Sequence, residues 1–162
     1  MEFLELKNIS ERYLELVNPT TPEKILGAGR IAGMREGGRV IDFGCGYGEA
    51  LILWAREFGI SGVGIDIRPA ACERARKKIT AEGLGDRIEV VCGRGAEFPL
   101  EAYSYDVASC IGATFVWKGG FQEAVRAMRG AITPGGRLIV GEAHWLRSGV
   151  PPEYAQRELS IR

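Results

Sequence analysis

The 162-residue chain predicts a single α/β domain, a doubly wound parallel sheet of five strands in the order 3-2-1-4-5 with helices on its flanks. Three observations lead there. Short apolar runs bounded by glycine recur along the chain, as strands buried on both faces of a parallel sheet require. Segments of helical period separate them, supplying the crossovers that parallel strands need. The first run feeds Gly44, Gly46 and Gly48 and then a helix, and the second ends on the carboxylate of Asp66. Residues 1–36 read as an N-terminal helical arm, 37–142 as the core and 143–162 as a tail.

In order, Ile9 to Val17 predicts a helix with Ser10 as its N-cap and Ile9, Tyr13, Leu14, Leu16 and Val17 on its apolar face. Asn18-Pro19-Thr20-Thr21-Pro22 ends it. A second helix runs from Pro22, a favoured first-turn residue, to Met34. Its Gly27, Gly29 and Gly33 imply close packing on another element. This arm is either a packing element or a lid that carries Tyr13 and Asn18 over a ligand. Val40 to Phe43, after the turn Glu36-Gly37-Gly38, is the first strand. The three glycines follow, and then a helix from Glu49 to Phe58 bearing Leu51, Leu53, Trp54 and Phe58. Glycines at alternate positions leave no Cβ between the main chain and a ligand, and a helix start directs N–H groups at it.

Gly62 to Ile67 is the second strand. Its Asp66 stands one β-α-β unit from the glycines, where it either accepts the hydroxyls of a ribose or caps the next helix; the pairing with the loop favours ribose. The helix Pro69 to Glu82 carries Arg74, Arg76, Lys77 and Lys78, read as a solvated face. Arg87 to Cys92 is the third strand and Gly93 to Pro99 a loop at the ligand end. Tyr105 to Ile111 is the fourth strand, with a loop at Gly112-Ala113-Thr114-Phe115. A helix over Phe121 to Arg129, a turn at Thr133-Pro134-Gly135-Gly136 and a fifth strand over Arg137 to Glu142 complete the sheet.

Composition excludes several classes. Lys plus Arg and Asp plus Glu are both 21, so there is no electrostatic footprint for nucleic acid. No apolar run reaches the ~20 residues of a membrane span, and Met1-Glu2-Phe3-Leu4-Glu5 is not a signal sequence. Cys45, Cys72, Cys92 and Cys110 lack metal-ligand spacing and read as small buried thiols of a cytoplasmic protein, with no metal site. A dinucleotide fingerprint requires a glycine where Glu49 stands, and a carboxylate there repels a diphosphate, so NAD is disfavoured.

Val40-Ile41-Asp42-Phe43-Gly44-Cys45-Gly46-Tyr47-Gly48 resembles motif I of the class I S-adenosylmethionine-dependent methyltransferases, a Rossmann-like family. Gly64-Ile65-Asp66-Ile67 resembles its acidic second motif, Tyr105-Asp106-Val107 its fourth strand, and Ile132-Thr133-Pro134-Gly135-Gly136-Arg137-Leu138 its turn into the fifth. The resemblance implies that Gly44, Cys45, Gly46 and Gly48 contact the methionine part of S-adenosylmethionine, with Asp42 near its amino group. Asp66 would hold the ribose hydroxyls and Ile67 would pack on adenine. Arg94-Gly95-Ala96 stands where the family usually has Gly-Asp-Ala, and a guanidinium offers adenine no acceptor. Cys110 and Gly112 match the end of the fourth strand, beside the sulfonium.

The pattern is closest to the small-molecule branch, similar to the quinone-biosynthesis methyltransferases. Trp117 and Trp145 would wall the acceptor pocket, with Tyr13 from the arm. His144 is the candidate base and Glu142 its orienting or acceptor-binding partner, although a lone histidine after a strand is also a common structural residue. The Asn-Pro-Pro-Tyr/Phe motif of base-methylating enzymes does not follow the fourth strand, so no nucleic acid is expected as acceptor. The family's C-terminal antiparallel hairpin is missing from the sequence given, which leaves the fifth strand as an uncovered edge. Two expectations follow: the chain is part of a longer protein, or two copies pair through that edge. The alternative function is a binding module or inactive remnant that holds S-adenosylmethionine and transfers nothing.

Overall fold

A computed structural model describes residues 3–142 of the chain. Its strands are β1 Arg39–Phe43, β2 Ser61–Asp66, β3 Ile88–Cys92, β4 Tyr105–Ile111 and β5 Ile132–Gly141. They form one sheet in the order β3-β2-β1-β4-β5, and every neighbouring pair is parallel, as the alternation of strands and helices predicts. The chain winds outward from β1 to β3 and then restarts on the other side of β1 with β4. The crevice between the C-terminal ends of β1 and β4 is therefore a topological switch point, where open α/β sheets receive ligands.

The helices are α1 Phe3–Ser10, α2 Pro22–Ile31, α3 Glu49–Phe58, α4 Pro69–Ala81 and α5 Gly120–Ala131. Val40, Ile88, Val90 and Val107 pack with α2, α3 and α4 on one face of the sheet, and Ile41, Phe43, Ile65 and Cys110 pack with α5 on the other. Apolar residues at successive strand positions are thus explained by two covered faces. Thr21 caps α2, accepting a bond from the Lys24 amide, and Pro22 occupies the first turn. The glycines of α2 divide in role. A Cβ on Gly29 would lie 2.6 Å from the Phe58 ring and 3.0 Å from that of Trp54, whereas Gly27 faces open space. The close approach lets the fully buried Trp54 indole donate to the Ile25 carbonyl at 2.8 Å.

Three expectations are corrected. The helix over Ile9 to Val17 does not form: α1 ends at Ser10, whose hydroxyl donates back to the Lys7 carbonyl rather than capping anything, and residues 11–20 run irregularly. Tertiary contacts hold that segment open, since Arg74 takes the Arg12 and Leu14 carbonyls that a helix would use. The Pro134-Gly135-Gly136 turn is absorbed into β5 as an irregularity, with Tyr105 opposite Ile132 but Val107 opposite Arg137. Gly136 packs on the Asp106 carbonyl so closely that a Cβ would stand 2.8 Å from it. Finally, of the basic side chains of α4 only Lys77, 75 % exposed beside Glu73, remains a plain solvated charge. Arg74 and Lys78 grip residues 12–15, and Arg76 donates twice, at 3.2 and 2.8 Å, to the Val90 carbonyl of the edge strand β3.

Candidate functional site

At the end of β1 the main chain turns sharply, and the Gly44 and Cys45 amides both donate to the Ile65 carbonyl, at 2.8 and 3.0 Å. Gly46 and Gly48 sit at φ +57° and +77°, backbone angles that a side chain would strain. Gly48 leads into α3 with no side-chain cap, so the helix start meets the loop as bare main chain.

Two carboxylates flank this loop. Asp66, at the end of β2, is 6 % exposed; its Oδ2 accepts the Gly46 amide at 2.9 Å. Its Oδ1 accepts the Arg68 amide at 2.9 Å and the Arg68 Nε at 3.3 Å. Arg68 is buried as well, and its Nη1 donates to Glu11 at 2.6 Å. Burial opposes that guanidinium charge, but Asp66 and Glu11 overcome the opposition and hold Arg68 above its ordinary pKa.

Asp42, in β1, is 4 % exposed, and its Oδ1 lies 2.5 Å from the buried Ser109 hydroxyl of β4. Burial raises its pKa, Ser109 opposes the rise and the Asp66 charge adds to it, leaving Asp42 at about 7. The Ser109 hydroxyl also lies 3.3 Å from the Ile41 carbonyl. The hydroxyl has one hydrogen for these two acceptors and donates it to the nearer one, Asp42 Oδ1, which is why Ser109 opposes the rise in the Asp42 pKa.

Residues 11–20 lie across the crevice as a strap. Asn18 donates to the Ile111 carbonyl at 2.7 Å, Val17 faces Gly46, and Lys78 pairs with Glu15 as well as with Glu49. The buried Tyr47 ring lies 3.9 Å below the Arg74 guanidinium that holds the strap. Beneath it is a cavity of about 30 Å³ bounded by Asp42, Gly44, Cys45, Tyr47, Val17 and Asn18. A wider surface groove of about 760 Å³ opens at the opposite ends of the strands, around Arg39, Ser61 and Arg87, and contains none of the expected site residues.

The structure brings together Asp42, Gly44, Cys45, Gly46, Gly48 and Asp66. Cys45 is buried and its thiol is pushed well up, first by burial and then by the two carboxylates. Cys110 is buried and raised to about 12 by burial with added repulsion from Asp42 and Glu142; Gly112, at φ +69°, backs onto the Asn18 side chain. Ile67 is 40 % exposed just beyond β2. Gly95 is buried and Ala96 exposed, while Arg94 points outward and lies 3.8 Å from Glu97.

The acceptor-side residues are more scattered. Tyr13 is 83 % exposed on the outside of the strap, and Trp117 lies in the core, edge-on to Phe43 at 5.0 Å. Glu142 accepts the Thr114 amide at 2.8 Å. His144 and Trp145 lie outside the described residues. Cys92 is exposed, unlike the other three cysteines, because it ends the edge strand. Among the described residues no three metal-ligating side chains converge, and no helix is long and apolar enough to cross a membrane.

Sequence reasoning missed Glu11, Arg68 and Ser109. Ser109 had a legible signal, a hydroxyl in an otherwise apolar strand. Arg68 had none, since an arginine two residues after an acid is usually solvated.

Residues 40–136 match the family model of the methyltransferase domain. The chain belongs to that family. This methyltransferase domain superposes, with a TM-score of 0.86 and 32 % identity, on a crystal structure of a SAM-dependent methyltransferase from Thiobacillus denitrificans in complex with S-adenosyl-L-homocysteine, covering 99 % of this chain and 63 % of that one. It is 34 % identical over 156 residues to the uncharacterized protein YjhP of Escherichia coli, covering 96 % of this chain and 62 % of YjhP. It is 31 % identical over 115 residues to the ubiquinone/menaquinone biosynthesis C-methyltransferase UbiE of Hahella chejuensis, covering 68 % of this chain and 45 % of UbiE. The methyltransferase domain thus spans less than two thirds of the length of these relatives. Its sheet order and glycine turn are those of the class I S-adenosylmethionine-dependent methyltransferase fold.

Proposed function

We propose that the chain binds S-adenosylmethionine and takes part in methyl transfer to a small-molecule acceptor. The observation that carries this reading is the hydrogen bond from Gly46 of the glycine turn to the Asp66 carboxylate, which fixes an acceptor for ribose hydroxyls beside bare main chain. The residues present fit the cofactor: Asp66 for the diol, Asp42 for the ammonium of the methionine end, and the turn between them for its carbon chain. Ile67 offers an apolar surface to adenine. With Arg94 turned outward, the adenine edge is left to the main chain of Gly95 and Ala96.

The cofactor, when bound, supplies a methyl group already activated on a sulfonium. The chain's part is then alignment and exclusion of water at the ends of β1 and β4, with Cys110 and Gly112 bordering the reacting sulfur. Glu142, which accepts the Thr114 amide in the loop after β4 and whose charge acts on Cys110, is the proposed orienting or acceptor-binding partner of His144, the proposed base. The small-molecule acceptor is supported by the likeness to a quinone C-methyltransferase and by the balanced charge of the chain, which offers no tract for nucleic acid. Four cysteines without paired spacing, three of them buried, suit a reducing cytoplasm.

Calorimetric titration with S-adenosylhomocysteine, S-adenosylmethionine and NAD tests the reading. Both sulfur compounds are expected to bind and NAD is not; the reverse result ends it. A methyl-label assay over phenols, thiols and amines then separates transfer from binding alone, and incorporation into none of them assigns a binding module.

A further inference from the structure

We propose that residues 11–20 form a latch over the nucleoside site, closed by the buried chain Glu11–Arg68–Asp66, and that a ribose diol opens it by taking Asp66 from Arg68. The proposal rests on the cofactor reading above and adds to it a cost for entry that is written into the strap.

The first observation is an acceptor count. An ionised carboxylate has about four lone-pair directions. At Asp66, Oδ1 receives the amide and the Nε of Arg68, and Oδ2 receives the Gly46 amide. One direction is left, whereas a vicinal diol donates two hydrogens. The two amide donors are fixed by the glycine turn and by the start of α4. The Arg68 Nε contact, at 3.3 Å the longest of the three, is the one that can yield.

Arg68 cannot yield alone. Its other end is held by Glu11 at 2.6 Å, and the side chains of Arg68 and Glu11 are 7 % and 10 % exposed. Glu11 has a second partner in Lys7 at 3.1 Å, so Arg68 is the charge that separation would strand in the interior, and it moves with Glu11 rather than away from it. Glu11 is the first residue of the strap, which is also held through Arg74 to Arg12 and Leu14, Lys78 to Glu15 and Asn18 to Ile111.

The second observation is independent of Asp66. The cavity between the strap and Asp42 measures about 30 Å³, room for about two waters and not for the amino-acid end of a ligand. Its inner walls are β1 and the glycine turn, packed in the core. Its outer wall is the strap, where Tyr13 and Leu14 are 83 % and 45 % exposed. The strap is the wall that gives way, so both ends of the crevice open by displacing the same ten residues.

The test is S-adenosylhomocysteine titrated calorimetrically into wild type, Glu11→Gln and Glu15→Gln, with hydrogen exchange read over residues 11–17. Glu11→Gln is expected to bind roughly fivefold tighter or more, as a latch coupling of that size implies. Glu15→Gln, on an exposed side chain that touches neither Asp66 nor Arg68, is expected to tighten binding by about twofold. Saturating ligand is expected to lower protection over residues 11–17. Unchanged or weaker binding in both variants overturns the latch, and so does equal or greater protection of the strap. Weaker binding would make the segment a clasp that grips the ligand. If wild type binds while the variants merely match it, the latch alone fails. If neither wild type nor Glu11→Gln binds, the cofactor reading fails and the latch with it.

Discussion

The two ends of the crevice hold their carboxylates in opposite ways. Around Asp66, two backbone amides and the Arg68 guanidinium converge on the carboxylate, and the cation is itself backed by Glu11. Around Asp42, 4 % exposed, the partner is one neutral hydroxyl, and the nearest charge is another acid. The Asp66 end is ready to accept from hydroxyls and already has donors in place. The Asp42 end is a carboxyl short of positive charge, so an ammonium lodged there would draw its proton off. One crevice thereby reads a neutral diol at one end and a cation at the other.

The largest expected effect comes from breaking the donor-rich end. Asp66→Ala leaves Arg68 half-paired and the Gly46 amide unpaired in the interior, a loss of roughly 3 kcal/mol in denaturant unfolding. The same variant is expected to show no S-adenosylhomocysteine binding by calorimetry at concentrations that saturate wild type.

Asp42→Asn probes the other end and should act with the opposite sign. The folded pKa of Asp42, about 7, lies above its ordinary value of 3.8, so the folded protein holds a proton that the unfolded chain releases between those values. Stability conferred by the neutral carboxyl is full below about 4 and is lost as pH rises towards 7. Asparagine removes that loss. The variant is expected to gain about 2 kcal/mol over wild type at pH 8 and to match it at pH 4, as urea midpoints would show. A variant less stable than wild type at pH 8 would mean that Asp42 is charged and well held.

Ser109→Ala is a smaller perturbation, about 1 kcal/mol, since it removes one neutral hydroxyl from a buried pair. It takes away the influence that lowers the Asp42 pKa, so the pH at which stability falls should move upward. A carboxyl infrared band followed against pH would report the shift directly. Smallest is Arg94→Asp, on an outward side chain, expected to change stability by less than about 0.5 kcal/mol. It places an acceptor where adenine presents its amino group, so S-adenosylhomocysteine should bind about threefold tighter if adenine sits there.

The same contrast explains what the sequence made legible. Asp66 and its glycines announce themselves because a β-α-β unit fixes their separation along the chain, and the five strands are marked by apolar runs that both covered faces demand. Asp42 is visible as a residue, but its protonation depends on Ser109, 67 positions away, and on burial that spacing does not encode. The strap was misread for the same reason. Ile9, Tyr13, Leu14 and Val17 fit a helical stripe, and only contacts with Arg74 and Lys78 from another element pull that stretch open. Charges on α4 carry no sign of whether water or a distant carbonyl receives them. The turn into β5 was visible as Pro134-Gly135-Gly136; its absorption into the strand depends on Tyr105 and Ile132 pairing before it.

Arg76 bears on how molecules of this chain meet one another. By covering the Val90 carbonyl it spoils the outer rim of β3 as a template for a further strand. Fibrous growth needs two open rims per molecule, one to receive and one to offer. With the Val90 carbonyl already taken, a strand laid beside β3 would lose that acceptor, so this rim is a poor place for the sheet to extend.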